Sequence, residues 1–271
     1  MAEGGEMALQ EIAVVTGAAS GIGQACAELL AARGDIVIVA DIDLDRARGV
    51  ADAIGGSARA WRIDVSDEGS VSAAADAIES EVGPVTKVVA NAGVLQSDIA
   101  LPEALTVAEW HKVMDVDLLG VFLTNRCFAR AMAKRGRGAI VNIASIAGMR
   151  AAPLHVYSPA KAAVIHLTQN LAADWGRSGL RVNSVSPGFV RTPILKQAIA
   201  DGHRDVSLLE QNSALGRLLE PEQIARATAF LLSDDADGIT GVNLPVDNGW
   251  LVTGSLHTWG GLRPSRVEAE A

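Results

Sequence analysis

The stretch Ile12-Ala13-Val14-Val15-Thr16-Gly17-Ala18-Ala19-Ser20-Gly21-Ile22-Gly23 decides the fold of this chain. Its four consecutive apolar residues are too few for a helix and read as a strand buried on both faces. The glycines that follow let the backbone turn sharply, and a helix opens at Gln24. A helix amino end presents unpaired N–H groups and a positive dipole end, so Gly17, Ser20, Gly21, Ile22 and Gly23 form a candidate cradle for an anion such as pyrophosphate. A lone glycine-rich loop says little; a strand before it and a helix after it give it weight.

The next apolar run, Ile36-Val37-Ile38-Val39, leads to Asp41. A carboxylate at the end of the second strand can accept both ribose hydroxyls of a dinucleotide and repels a 2′-phosphate. Ala18, Ala19 and Ile42 supply no cation to reverse that preference. The expected cofactor is therefore NAD rather than NADP. The plainer alternative is that Asp41 only caps the helix that follows.

The same beat continues along the chain. Val88-Val89-Ala90, Ala139-Ile140-Val141-Asn142-Ile143, Val182-Asn183-Ser184-Val185 and Val242-Asn243-Leu244-Pro245-Val246 read as strands. Residues 26–33, 71–82, 110–134 and 162–175 carry apolar residues at helical spacing. Asp43-Leu44-Asp45 and Glu220-Pro221-Glu222 look like helix starts. Apolar strands alternating with helices predict an α/β protein with a parallel sheet covered on both faces, and no composition break forces a split into two domains. The segment 192–215 breaks the rhythm and reads as a lid. Residues 253–271 read as a partly ordered tail and 1–9 as a flexible terminus.

Composition narrows the partner. The 271 residues are 49% hydrophobic and 20% charged, with a net charge of −9. That balance disfavours nucleic acid and anionic membranes, which need a basic face, and leaves a small molecule as the expected ligand. Cys26 and Cys127 stand alone, which gives no metal or redox pair and suits a reducing compartment. No run reaches the roughly 18 apolar residues of a membrane span. The amino terminus has no secretory pattern. A cytoplasmic protein without a metal is the expectation.

Tyr157, the chain's single tyrosine, stands four residues before Lys161 in His155-Val156-Tyr157-Ser158-Pro159-Ala160-Lys161. On a helix this spacing puts phenol and ammonium on one face. A neighbouring cation favours phenolate, and a phenol tuned below its usual pKa of about 10 can exchange a proton with an alcohol oxygen. Taken alone, the pair could equally be a solvated helix face. Pro159 lacks an N–H but falls in the first helical turn, where none is needed.

With the glycine loop, Asn91-Ala92-Gly93, Ser145, Tyr157, Lys161 and Pro187-Gly188 in register, the chain resembles the short-chain dehydrogenases/reductases from about 12 to 249. The resemblance implies one α/β domain over 10–252, a doubly wound, Rossmann-type seven-stranded parallel sheet with helices on both faces, and a homotetramer or homodimer. It implies Tyr157 as acid/base, Lys161 as the group that lowers its pKa and holds the nicotinamide ribose, and Ser145 as the donor to the substrate oxygen. Asp64 and Val65, at the end of the third strand, would meet adenine. Asn91, Ala92 and Gly93 would flank the adenosine ribose, and Pro187, Gly188, Val190 and Thr192 the carboxamide and phosphates. Asp117 stands where the family usually has asparagine, in the proton relay beside the lysine. Ala90 and Asn248 are lesser departures.

The resemblance further implies interconversion of a secondary alcohol and a ketone, or of a sugar hemiacetal and a lactone, with hydride passing to or from nicotinamide. Leu95, Gln96, His155 and Phe189 are candidates to line the substrate pocket, with Val94, Ala147 and the lid from Pro193. Trp250 and Trp259 could stack on a sugar ring, although a core or subunit-interface role is the plainer reading; together with the polar candidates they favour a sugar, polyol or other polyhydroxylated alcohol. Steroids and apolar cyclic alcohols are the alternative. A catalytically silent NAD-binding regulator is disfavoured by the intact Ser145, Tyr157 and Lys161. A sugar-nucleotide epimerase would need more chain after Gly249, and an enoyl reductase a wider Tyr to Lys separation.

Overall fold

Strand by strand, the apolar runs line up in a single parallel sheet. The computed structural model describes residues 10–96, 101–202 and 204–263, with backbone alone at 257 and 259. Its strands are β1 Ile12–Thr16, β2 Ile36–Asp41, β3 Ala58–Arg62, β4 Val85–Ala90, β5 Gly138–Ile143, β6 Leu180–Pro187 and β7 Asn243–Val246, ordered β3-β2-β1-β4-β5-β6-β7. The order reverses between β1 and β4, and a doubly wound sheet opens its ligand crevice at the carboxyl ends of such a pair.

Strand residues alternate between two cores. Val15, Val37, Val39, Val89, Val141 and Val185 face α1 Gly21–Ala32, α2 Leu44–Ile54 and α9 Pro221–Leu232. Val14, Ile38, Val88, Ile140 and Val182 face α3 Glu68–Glu81, α5 Gly120–Arg135 and α6 Tyr157–Trp175. This is the period of two of a strand, with apolar residues on both sides because both faces are covered. Each fully buried Val or Ile contributes roughly 1.5–3 kcal/mol. Burial pushes the Cys26 thiol up to about 12, which leaves it inert.

Several elements differ from the sequence expectation. α1 begins at Gly21, not Gln24, so the glycine loop supplies the helix's own first turn. The expected helix over 110–134 is two helices, α4 Val107–Met114 and α5, separated by a π-helical turn at Asp115–Leu119. β3 ends at Arg62, so Asp64 and Val65 lie past the strand. The cap of α2 is Asp43, whose carboxylate accepts from Arg46 N at 3.1 Å. Glu220 and Gln223 form a reciprocal capping box on α9. Within 192–215 lie α7 Pro193–Ala200 and α8 Val206–Gln211. After β7 come α10 Trp250–Thr253 and a 3₁₀ turn at Leu256–Trp259. The segment 1–9 and the last part of the tail, 264–271, lie outside the described residues. Among the described residues no helix is long and apolar enough to cross a membrane.

Candidate active site

At the carboxyl end of β1 the backbone folds so tightly that side chains are excluded. A Cβ on Gly23 would lie 2.3 Å from the Gly17 carbonyl oxygen, and one on Gly17 would lie 2.7 Å from Ala92 Cα. Gly17 and Gly21 also adopt left-handed φ of 64° and 57°. Ser20 precedes α1 without capping it, and no acidic side chain occupies the first turn. The helix amino end therefore remains available to an anion.

Thr16 stitches this loop to β4: its hydroxyl accepts from Asn91 N at 3.1 Å and Ala92 N at 3.2 Å. The Asn91 amide in turn donates to the Thr16 and Gly17 carbonyls at 2.9 and 3.1 Å. Sequence reasoning gave Thr16 no role, because its partners lie some 75 residues away. Across the cradle, Gly21 faces the Thr192 side chain. Thr192 caps α7 by accepting from Leu195 N, and buried Val190 bridges to Leu219.

Asp41 is half-buried beside the loop. Its carboxylate accepts from Ala19 N and Asp43 N, both at 3.1 Å. Asp41 thus faces the glycine loop, while Asp43 serves the helix. The sheet register sets Arg62 opposite Asp41, a cation that sequence separation conceals. Asp64 is occupied locally, accepting from Ser66 N at 3.0 Å and Ser66 Oγ at 2.6 Å. Val65 is buried against Gly120.

The second half of the site gathers at the ends of β4, β5 and α6. Ser145 follows β5 and caps a short 3₁₀ turn, accepting from Ala147 N at 3.1 Å. Tyr157 is the first residue of α6, and Lys161, one turn on, brings its Nζ 5.5 Å from the centre of the tyrosine ring. The ammonium donates to the Ile143 carbonyl at 3.1 Å and pairs with Asp117 Oδ2 at 3.0 Å. Asp117 is fully buried and sits in the π turn, with Oδ1 accepting from Val94 N at 2.8 Å. A Cβ on Gly93 would lie 2.9 Å from Asp117 Oδ2, so a glycine there makes room for the carboxylate.

The electrostatics differ from the sequence expectation of a phenol brought toward neutrality. Among the protein's own groups, burial dominates and holds Tyr157 above its usual range; Lys161 and the Ser145 hydroxyl pull it down, and Asp117 pushes it up. Burial opposes the charge on Lys161 as well, but Asp117 and Tyr157 together outweigh it and hold the ammonium above its ordinary pKa.

The expected pocket residues separate into two groups. Gln96 is buried, and its Oε1 accepts from Val156 N at 3.1 Å, which braces the approach to α6. Leu95 is exposed and His155 half-buried. Phe189, directly after Pro187-Gly188, meets Trp250 edge to face with ring centroids 5.7 Å apart, an apolar pair after β6 and β7. The Trp259 side chain lies outside the described residues. The loop, Asp41, Asn91 and Thr192 fit a dinucleotide by shape and charge, and the Ser145, Tyr157 and Lys161 set lies at the same sheet edge.

The chain is similar to known proteins over most of its length. Residues 17–251 match the family model described as enoyl-(acyl carrier protein) reductase. The cis-4-hydroxycyclohexanecarboxylate dehydrogenase of Sinomonas cyclohexanicum is 43% identical over 251 residues, 91% of this chain and 98% of that protein. A crystal structure named as ribose-5-phosphate isomerase from Brucella melitensis 16M is 49% identical, with 94% of this chain and 98% of that one covered and a TM-score of 0.91. A gluconate 5-dehydrogenase from Burkholderia cenocepacia J2315, in complex with NADP and tartrate, is 32% identical, with 89% and 95% covered and a TM-score of 0.84.

Proposed function

The chain belongs to the short-chain dehydrogenase/reductase family, and from that premise we propose that it interconverts a secondary alcohol and a ketone, or a sugar hemiacetal and lactone, with NAD(H) and with Tyr157 as acid/base. The observation that carries this reading is the meeting of Tyr157, Lys161 and Asp117 beside a glycine cradle that excludes side chains. A bound nicotinamide supplies the hydride acceptor or donor. Gly17, Ser20, Gly21, Ile22 and Gly23 would hold its pyrophosphate, Asp41 the adenosine ribose, Asn91 to Gly93 the wall beside it, and Val190 and Thr192 the far end.

Within that frame each side chain has a proton or a position to keep. Removing hydride from a carbinol carbon requires its hydroxyl proton to leave with it, and Tyr157 Oη as phenolate would take that proton. Ser145 Oγ would orient the substrate oxygen. Lys161 would hold the ribose and steady the phenolate. In the reverse direction the Tyr157 phenol returns the proton to the ketone oxygen.

NAD is the proposed cofactor because Asp41 would repel a 2′-phosphate; Arg62 at the same level and the NADP complex of the gluconate enzyme make NADP the comparison to run. For the substrate, a polyhydroxylated alcohol accords with the gluconate relative. A cyclic alcohol is the second reading, favoured by the Phe189–Trp250 wall and the hydroxycyclohexanecarboxylate relative. Enoyl reduction suits the site less well, since the four-residue Tyr157 to Lys161 spacing, with Ser145 alongside, fits an alcohol oxygen. Isomerisation of a sugar phosphate gives the dinucleotide cradle no work to do. We place the protein in the cytoplasm as a homotetramer or homodimer, with 192–215 as a lid over the substrate.

The test is Tyr157→Phe, assayed for NADH binding and for NAD reduction across sugars, polyols, hydroxy acids and cyclic alcohols. Binding should persist while turnover falls by a factor of at least about 100. Retained turnover would remove Tyr157 from its role.

A further inference from the structure

Lys161 carries the charge expected to acidify the tyrosine, yet it does not face Tyr157 as a free cation. Its Nζ lies 3.0 Å from Asp117 Oδ2 as an ion pair and donates to the Ile143 carbonyl at 3.1 Å, so the ammonium is engaged by an anion and a carbonyl besides the phenol. Asp117 has no exposed surface and no room to turn: Oδ1 is held by Val94 N, and Gly93 packs on Oδ2. The π turn matters here, because the extra residue in the turn Asp115–Leu119 re-aims a side chain that a regular helix would place elsewhere.

The charged and titratable surroundings are few. From α6 come Tyr157 and Lys161, with His155 two residues before the tyrosine. From β5 come the Ile143 carbonyl and the Ser145 hydroxyl, and from the β4 end, among the described residues, the backbone of Gly93 and Val94. On the π turn Asp115 points outward toward His111, 4.0 Å away. Asp117 is therefore the anion that meets the lysine, and an asparagine in its place would keep the Val94 bond without the charge.

Resting on the function proposed above, we infer that Asp117 is a positioning residue that offsets part of the charge of Lys161, so that ionisation of Tyr157 awaits the positive nicotinamide of the oxidised cofactor. A neutral amide at 117 would leave the lysine charge unopposed and shift Tyr157 toward the phenolate with or without cofactor. The carboxylate thus ties the base form of Tyr157 to the cofactor's oxidation state. With NAD⁺ bound the phenol ionises and can accept a proton; with NADH bound it stays protonated and can give one.

The single tyrosine makes this measurable without turnover. Phenolate absorbance in the near ultraviolet, followed against pH, titrates Tyr157 alone. We expect Asp117→Asn without cofactor to titrate at least about one pH unit below the natural protein. Saturating NAD⁺ should lower the midpoint of the natural protein more than that of the variant. Asp117→Ser supplies the same comparison if the amide variant folds poorly, and circular dichroism checks both. An unchanged or raised midpoint in the folded variants would overturn the inference, as would an equal response to NAD⁺. Because the titration needs no substrate, its failure is separate from that of the proposed function, which Tyr157→Phe turnover decides.

Discussion

Asp41 and Arg62 are register partners on the parallel strands β2 and β3, so an anion and a cation stand side by side at the sheet edge beside the glycine loop. The carboxylate faces the loop through its bond from Ala19 N, whereas Arg62 is exposed. On the proposed function the pair would offer two opposed ways of reading a dinucleotide: Asp41 would favour ribose hydroxyls, and Arg62 would welcome a 2′-phosphate once the carboxylate is gone.

Asp41→Ala should therefore lower kcat/KM with NAD and raise it with NADP. A hydrogen-bonded charge is worth about 1.5–3 kcal/mol, so the ratio should move by about 10- to 150-fold. Adding Arg62→Ala should return part of the NADP gain. Steady-state kinetics with both cofactors checks this, and an unmoved ratio would assign cofactor choice elsewhere.

Two glycines should respond oppositely to alanine. At Gly23 the new methyl would press on the Gly17 carbonyl, costing about 1–3 kcal/mol and weakening NADH binding. At Gly49, exposed within α2 with nothing near the added carbon, alanine should stabilise by about 0.5–1 kcal/mol. Denaturant midpoints together with cofactor titrations separate the two effects.

Removing the lysine should expose the cost of its buried partner. Lys161→Met leaves the Asp117 carboxylate inside the protein without a cation, a change worth about 3–5 kcal/mol of stability. Lys161→Met with Asp117→Asn should recover part of that loss while turnover stays low. A double-mutant cycle on unfolding free energies measures the coupling, and strict additivity would deny the ion pair.

The central strands were legible because each is buried on both faces and reads as an unbroken apolar run. β3 was not: as an edge strand its Ala58-Arg59-Ala60-Trp61-Arg62 mixes half-buried positions with exposed arginines and has no fully buried residue. The glycine loop, Asn91, Ser145, Tyr157 and Lys161 were legible because their order along the chain carries the chemistry. What spacing could not convey is contact across distance. Arg62 is set opposite Asp41 by strand register, Asp117 reaches Lys161 from 44 positions earlier, and the π turn that aims it has no signature in apolar periodicity. The direction of the tyrosine shift was missed for a related reason: the i,i+4 spacing shows the cation but hides both the burial and the carboxylate behind it.

The most direct measurement compares two titrations of the natural protein: Tyr157 phenolate absorbance in the NAD⁺ complex, and the pH dependence of kcat/KM for alcohol oxidation at saturating NAD⁺. Oxidation needs the phenolate, so the rate should rise with pH and level off once the phenol is ionised. Both midpoints should coincide and lie below that of the protein without cofactor. A rate profile whose rising limb departs from the phenolate midpoint, or survives in Tyr157→Phe, would contradict Tyr157 as the base.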